Sequence, residues 1–299
     1  MDNSHSANRL GVALALLAAF GFSFKAIFVK LAYQAASVDA VSLIALRMLF
    51  CLPFVLALAL ITLREMPRLT APQAGLLTLL GVVGYYGSSV LDFYGLQYIT
   101  AGLERLILFT YPMLTILIGI LFMGKKAEPG LLVAALLSYA GIAIAFAHDV
   151  SQNGDMASVA AGAGFVFACA VLYAVYSAGS EVAIRRLGTM PFSILSILIS
   201  TVAVCLHFLL THRPSALRLP MPVYGYSMAM ALFSTVLPIL WQSAAIRRIG
   251  AARTVLIGTL GPGLTIFFGW RLLGEPVSLS QLAGTGLVMA GVMMASRRK

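Results

Sequence analysis

Lys25, Arg47, Asp92, Glu104 and Arg105 are ionisable side chains set inside stretches of sequence that are otherwise almost wholly apolar. A charge in hydrocarbon is costly, so each of them needs a partner or a function. The residue types suit the binding of a charged cargo, in which a lysine or arginine takes a carboxylate while Asp92 or Glu104 takes an ammonium. The alternative is an ion-pair network that only ties helices together, or side chains that reach for the interface, the role expected of Lys30 near a segment end. Polar stripes add a second set of candidates. Gly81, Tyr85, Ser88, Ser89 and Asp92 share one helical face, as do Tyr173, Tyr176, Ser177 and Ser180. Ser227, Ala231, Ser234, Pro238 and Trp241 form a third stripe with Gln242 adjacent. Such faces either pack helices closely or line a cavity. Tyr85, Tyr86, Tyr173, Tyr176 and Trp241 would suit a cargo with an apolar portion, since they offer area, a polar handle and a ring face for a cation.

Enzymatic chemistry finds little support. Gly87-Ser88-Ser89 invites comparison with a serine nucleophile and His207 with its base, but no H-E-x-x-H, paired intramembrane aspartates or cofactor motif is present. His148 and His212 lie at segment ends and His5 in the polar leader. Cys51, Cys169 and Cys205 fall inside apolar segments and read as small core residues, at a spacing that makes neither a metal motif nor a disulfide framework. No catalytic residue, metal or cofactor is therefore expected.

The elements that must position these side chains follow from composition. Of 299 residues, 61% are hydrophobic and 10% charged, with a mean hydropathy of +0.97. Soluble domains carry about 45–50% apolar and about 25% charged residues, so the solvent for this chain is lipid. Apolar runs at about 10–33, 40–63, 72–92, 97–123, 129–147, 157–184, 190–211, 222–246, 252–273 and 278–296 predict an all-α integral membrane protein of ten transmembrane helices. The first run is too long for a signal-peptide core and is expected to be retained.

The net charge of +10 follows the connections between spans. Arg9, Arg64, Arg68, Lys125, Lys126, Arg185, Arg186, Arg247, Arg248, Arg253 and the Arg297-Arg298-Lys299 tail fall on one side, while Asp39, Asp149, Asp155 and Glu275 fall on the other with Arg213 and Arg218. This distribution predicts both termini in the cytoplasm of a plasma membrane, the inner membrane in a Gram-negative cell. It accounts for the basic excess without a nucleic-acid partner.

The chain also repeats itself. Ala101–Gly141 aligns without gaps to Ala251–Gly291 at an offset of 150 residues, pairing Pro112 with Pro262, Leu114-Thr115-Ile116 with Leu264-Thr265-Ile266, Gly119 with Gly269 and Gly124 with Gly274. The same register sets Asp92 against Gln242 and Ser88 against Pro238, and an offset near 151 sets Lys25 against Tyr176. Residues 1–150 and 151–299 are thus expected to form two five-helix halves. An odd number of spans per half inverts the second, which is the geometry of alternating access. Pro112 and Pro262 each remove a backbone donor at depth, and with Gly261 and Gly263 they mark candidate hinges or kinks.

The segment F-Y-G-L-Q-Y-I-T-A-G at 93–102, the fourth helix centred on Pro112 and ending at Gly124, G-P-G-L-T at 261–265, L-G-E-P at 273–276 and G-F-S-F-K-A-I-F-V-K at 21–30 resemble the drug/metabolite transporter superfamily, in particular its ten-span EamA-type carriers. Arg47 sits where that family's second helix carries an arginine. The resemblance implies a single-chain carrier with both termini inside, a central cavity and no covalent chemistry, closest to amino-acid exporters of the YddG type; a monomer is expected. The first copy departs from the family pattern, with Gly124-Lys125 where the second has Gly274-Glu275. Export of neutral amino acids, aromatic ones included, is the leading expectation. Drug, sugar-phosphate or nucleotide-sugar transport is the alternative, and an intramembrane enzyme a remote one.

Overall fold

Inside a bilayer every backbone N–H and C=O must be paired within the protein, and a helix achieves this within one segment. The computed structural model, which describes residues 2–62, 68–124, 130–153 and 155–296, is helical accordingly. Nine helices among the described residues are long and apolar enough to cross a membrane: Arg9–Ala35, Ala40–Thr62, Ala71–Gly95, Ala101–Phe122, Leu131–Gln152, Met156–Leu187, Thr189–Thr211, Met221–Ile249 and Leu256–Leu273. A shorter apolar helix, Leu279–Ala295, completes the expected ten. They are called the first to tenth spans below. Arg64, Lys125, Lys126, Arg297, Arg298 and Lys299, which belong to the charges read as a topology signal, lie outside the described residues.

Large apolar side chains such as Ile61, Phe122 and Leu210 are exposed, as a lipid-facing surface requires, while smaller residues such as Ala134 and Ala145 turn inward. The fifth and tenth spans cross where two glycines meet. A Cβ on Gly141 would approach the Gly284 carbonyl oxygen to 2.4 Å and the Val288 backbone nitrogen to 3.0 Å. A Cβ on Gly291 would approach the Ala134 carbonyl oxygen to 2.5 Å and Ser138 Oγ to 2.2 Å. These contacts are reciprocal under the repeat register, and the Ser138 hydroxyl donates to the carbonyl of its own counterpart, Val288, at 3.5 Å. A residue that touches its own counterpart lies on the axis relating the halves, so the fifth and tenth spans meet at the pseudo-twofold.

The two halves share their irregularities as well. The third span widens into a π-helical stretch at Gly81–Gly87, and the eighth does so at Leu232–Val236, the counterpart in the second half. The eighth-span widening precedes Pro238, whose ring would clash with a carbonyl one regular turn back. The fourth and ninth spans each break into two helices at Phe109–Thr110 and Thr259–Leu260, just before Pro112 and Pro262. At both breaks a threonine bonds one carbonyl with its amide and its hydroxyl together: the hydroxyl of Thr110 donates to Ile107 at 2.7 Å and that of Thr259 to Leu256 at 2.6 Å. Gly124 and Gly274 then end the two segments with φ of 65° and 69°, a left-handed conformation in which a side chain would be strained.

Candidate functional site

The widened third and eighth spans and the broken fourth and ninth surround a central cavity of about 230 Å³. Of the residues predicted for a substrate site or hinge, Lys25, Tyr85, Ser88, Asp92, Arg105, Pro112, Tyr173 and Gln242 lie on its wall, together with Arg47. Drug-sized ligands occupy sites of roughly 300–1,000 Å³, so the space is that of a small metabolite.

One part of the cavity wall is charged. Lys25 Nζ stands 2.7 Å from Asp92 Oδ2 and 3.3 Å from Glu104 Oε1, one ammonium serving two carboxylates from the third and fourth spans. Asp92 is 1% exposed and Glu104 0%. Asp92 faces the cavity, whereas Glu104 lies behind it. Arg47, 5% exposed, donates from Nη2 to Ser89 Oγ at 3.1 Å and lies 5.0 Å from the centre of the Phe93 ring. Arg105 lies 5.4 Å from the centre of the Phe109 ring. Neither arginine forms a salt bridge among the described residues, and the Nε of each is buried without a hydrogen-bond partner there. From this cluster the wall extends to Ala15, Gln242, Thr254 and Val292, in the half of the bundle nearer the N-terminus.

Aromatic rings line the middle. Tyr85 and Tyr173 are on the wall, and Tyr111, which sequence reasoning did not single out, meets Tyr173 edge to face at 4.7 Å. Tyr176 is not on the wall. It stands behind Tyr85, edge to face at 5.6 Å, and occupies the space that a Cβ on Gly84 would need. Trp241 is half-buried and also off the wall, because the widening of the eighth span shifts the face that follows it. Gly261 acts as clearance: a Cβ there would stand 3.0 Å from Arg105 Nη2, whereas one on Gly263 would meet nothing within 4 Å. Pro262 is buried against other helices and off the wall, unlike its counterpart Pro112.

Lys30, expected to reach for the interface, has its partners within the protein. It bends over the connection between the third and fourth spans and donates to the carbonyls of Leu96 at 3.3 Å and Ile99 at 2.9 Å. The serine and histidine compared with a nucleophile and its base are engaged elsewhere: the Ser88 hydroxyl donates to the Gly84 carbonyl, and His207 Nδ1 pairs with the Tyr86 hydroxyl at 2.9 Å.

The connection that Lys30 grips is also held by two acids, Asp149, which the sequence reading treated only as a topology marker, and Glu275, which it also singled out in the Gly274-Glu275 pair. Asp149 accepts from the Thr100 amide and hydroxyl, both at 2.9 Å, and Glu275 accepts from the Ala101 amide at 2.9 Å. Both carboxylates thereby cap the N-terminus of the fourth span, where unpaired amides favour negative charge. Burial pushes the Glu275 carboxyl up from its ordinary value. The sequence signal was available in the Gly274-Glu275 pair, but its partner is 174 residues away.

Comparison with known proteins agrees with this architecture. The sequence model of the EamA-like transporter family matches twice, at residues 9–147 and 160–297. The chain is 29% identical over 300 residues to the uncharacterized transporter YcbK of Bacillus subtilis, covering 97% of this chain and 93% of that one. It is 27% identical over 243 residues to a probable terminal-alkyne amino-acid exporter of Streptantibioticus cattleyicolor, covering 77% and 76%. A solved crystal structure superposes with a TM-score of 0.68 at 18% identity over 96% of this chain and 98% of that one, a likeness of fold. Built as two copies of one five-helix unit and matched by the family in both, the chain belongs to the EamA-like transporter family.

Proposed function

We propose that this protein exports neutral amino acids, aromatic ones included, across the plasma membrane by alternating access, as a monomer with both termini in the cytoplasm. The observation that carries this reading is a cavity walled by counterpart pairs from the two inverted halves, among them Gly84 with Ser234, Tyr85 with Thr235 and Asp92 with Gln242. Inverted repeats can exchange two related openings around a shared midplane site. The wall of tyrosines and phenylalanine beside a charged cluster matches a cargo with one apolar and one ionic part. The name of the Streptantibioticus relative supports an amino-acid cargo. Lys25, Arg47 and Arg105 favour a second reading, a phosphorylated metabolite, which the same assay tests.

The test is exchange in proteoliposomes loaded with unlabelled cargo, with and without a pH gradient. Uptake of radiolabelled neutral amino acids is the expected result. Uptake of phosphorylated sugars or nucleotide sugars alone would replace this reading with the second, and exchange of neither would reject both.

A further inference from the structure

We infer that the carboxylate of the cargo, and not its amino group, is what this cavity recognises: the site takes organic monoanions with an apolar body, and amino acids are one case. The inference rests on reading the cavity as the substrate site. The wall presents Lys25, Arg47 and Arg105 against Asp92, and counted at formal charges, with Glu104 behind it included, the cluster is at least one positive charge in excess.

Ion pairing, not hydrogen bonding, separates these groups: both oxygens of Asp92 and Oε2 of Glu104 are, like the arginine Nε atoms, buried without a hydrogen-bond partner among the described residues. Asp92 and Glu104 nevertheless already face an ammonium, that of Lys25, at 2.7 and 3.3 Å. A cargo amine would have to displace a tethered cation of its own kind from two buried carboxylates. The arginines are the opposite case. Arg47 and Arg105 have unpartnered buried Nε atoms and no carboxylate of the protein on either guanidinium among the described residues. Arg47 is buried and Arg105 half-buried; a guanidinium withdrawn from water without an anion lacks the partner that would offset its desolvation, and its planar fork is matched by a carboxylate accepting two hydrogen bonds. An excess of one charge fits a monoanion better than the dianion of a phosphate monoester. Phe22, Leu108 and Phe109 on the same wall offer nothing polar from their side chains, which fits the apolar body of the cargo.

The test uses the purified full chain in detergent and four probes of similar size: 3-phenylpropanoate, 2-phenylethylamine, phenylalanine and phenyl phosphate. Binding is read by calorimetry. The expected result is 3-phenylpropanoate within about threefold of phenylalanine, and 2-phenylethylamine roughly tenfold weaker or worse. Arg105→Gln should weaken both carboxylates by roughly tenfold. Because a cavity-facing cation without a protein partner can be removed without orphaning another charge, that variant should keep the melting temperature of the ligand-free parent.

Binding of 2-phenylethylamine as tight as that of 3-phenylpropanoate would overturn the inference and leave the amino-acid reading standing. Tighter binding of phenyl phosphate would overturn it in favour of the phosphorylated cargo. Binding of none of the four would overturn it together with the amino-acid reading. If Arg105→Gln fails to fold, the wild-type ranking of the four probes still decides.

Discussion

The fourth and ninth spans share three backbone devices and differ in chemistry. Both break just before a proline, both carry a threonine hydroxyl bonded one turn back at the break, and both end at a left-handed glycine, although only the ninth widens into a π-helical stretch, at Gly269–Leu273, before that glycine. Yet the fourth carries Glu104 and Arg105 where the ninth carries Thr254 and Val255. The third and eighth spans repeat the lesson, with matched π-helical widenings but Asp92 opposite Gln242, and Lys25 of the first span stands opposite Tyr176 of the sixth. The devices that shape the backbone, which any inverted carrier needs at both openings, are common to the halves. The ionic cluster exists once. On the proposed alternating-access reading, symmetry serves the movement and asymmetry the recognition.

Substitutions at counterpart positions can break this comparison. The largest effect is expected at Lys25. Lys25→Ala leaves two buried carboxylates without their cation and should cost roughly 3–5 kcal/mol, read as a loss of thermal stability in detergent. At the counterpart, Tyr176→Phe should cost less than about 1.5 kcal/mol. Replacing the whole cluster by Lys25→Met, Asp92→Asn and Glu104→Gln should recover the melting temperature, since a buried ion network can be exchanged for neutral groups of similar volume at little cost. A triple variant no more stable than Lys25→Ala alone would show that the cluster is not a self-contained unit.

A smaller effect separates Gly84 from Ser234. Gly84→Ala places a Cβ 2.2 Å from the Tyr176 ring and should cost about 1–3 kcal/mol in thermal unfolding. Ser234→Ala keeps its Cβ and removes a hydroxyl that has no hydrogen-bond partner among the described residues, so less than about 0.5 kcal/mol is expected. Equal losses would mean that the two widened turns are not packed as described.

The smallest effects lie at the capped end of the fourth span. Glu275→Ala removes an acceptor from the Ala101 amide and should cost about 1 kcal/mol. Glu275 also carries a pH signature. Its carboxyl is raised by burial, so the stability linked to its protonated form is present below the ordinary carboxylate value and is lost as pH rises through the raised one. The wild type should therefore gain stability relative to Glu275→Gln as pH falls through that window. A constant difference between the two melting curves across it would contradict the buried placement of Glu275.

Much of this was legible in the sequence. Span count, the repeat and the pairing of Pro112 with Pro262 depend on apolar length and register, which the chain displays directly. Lys25, Asp92 and Glu104 announced themselves because charge in hydrocarbon demands a partner. What stayed hidden depends on helices departing from 3.6 residues per turn or on contacts far apart in sequence. A regular helical wheel puts Trp241 on the cavity face, but the widening at Leu232–Val236 turns it away. Tyr176 shares a stripe with Tyr173, yet Tyr85 stands between it and the cavity. Lys30 reads as an interfacial side chain, but its carbonyl partners at Leu96 and Ile99 lie 66 and 69 residues away in sequence.

The claim that a symmetric scaffold carries a one-sided recognition cluster is tested most directly by counterflow of radiolabelled phenylalanine into preloaded proteoliposomes, comparing wild type with the Arg105→Gln protein. The account predicts exchange by the wild type and a loss of roughly tenfold or more in the folded variant. Exchange at the wild-type rate in that variant would contradict it.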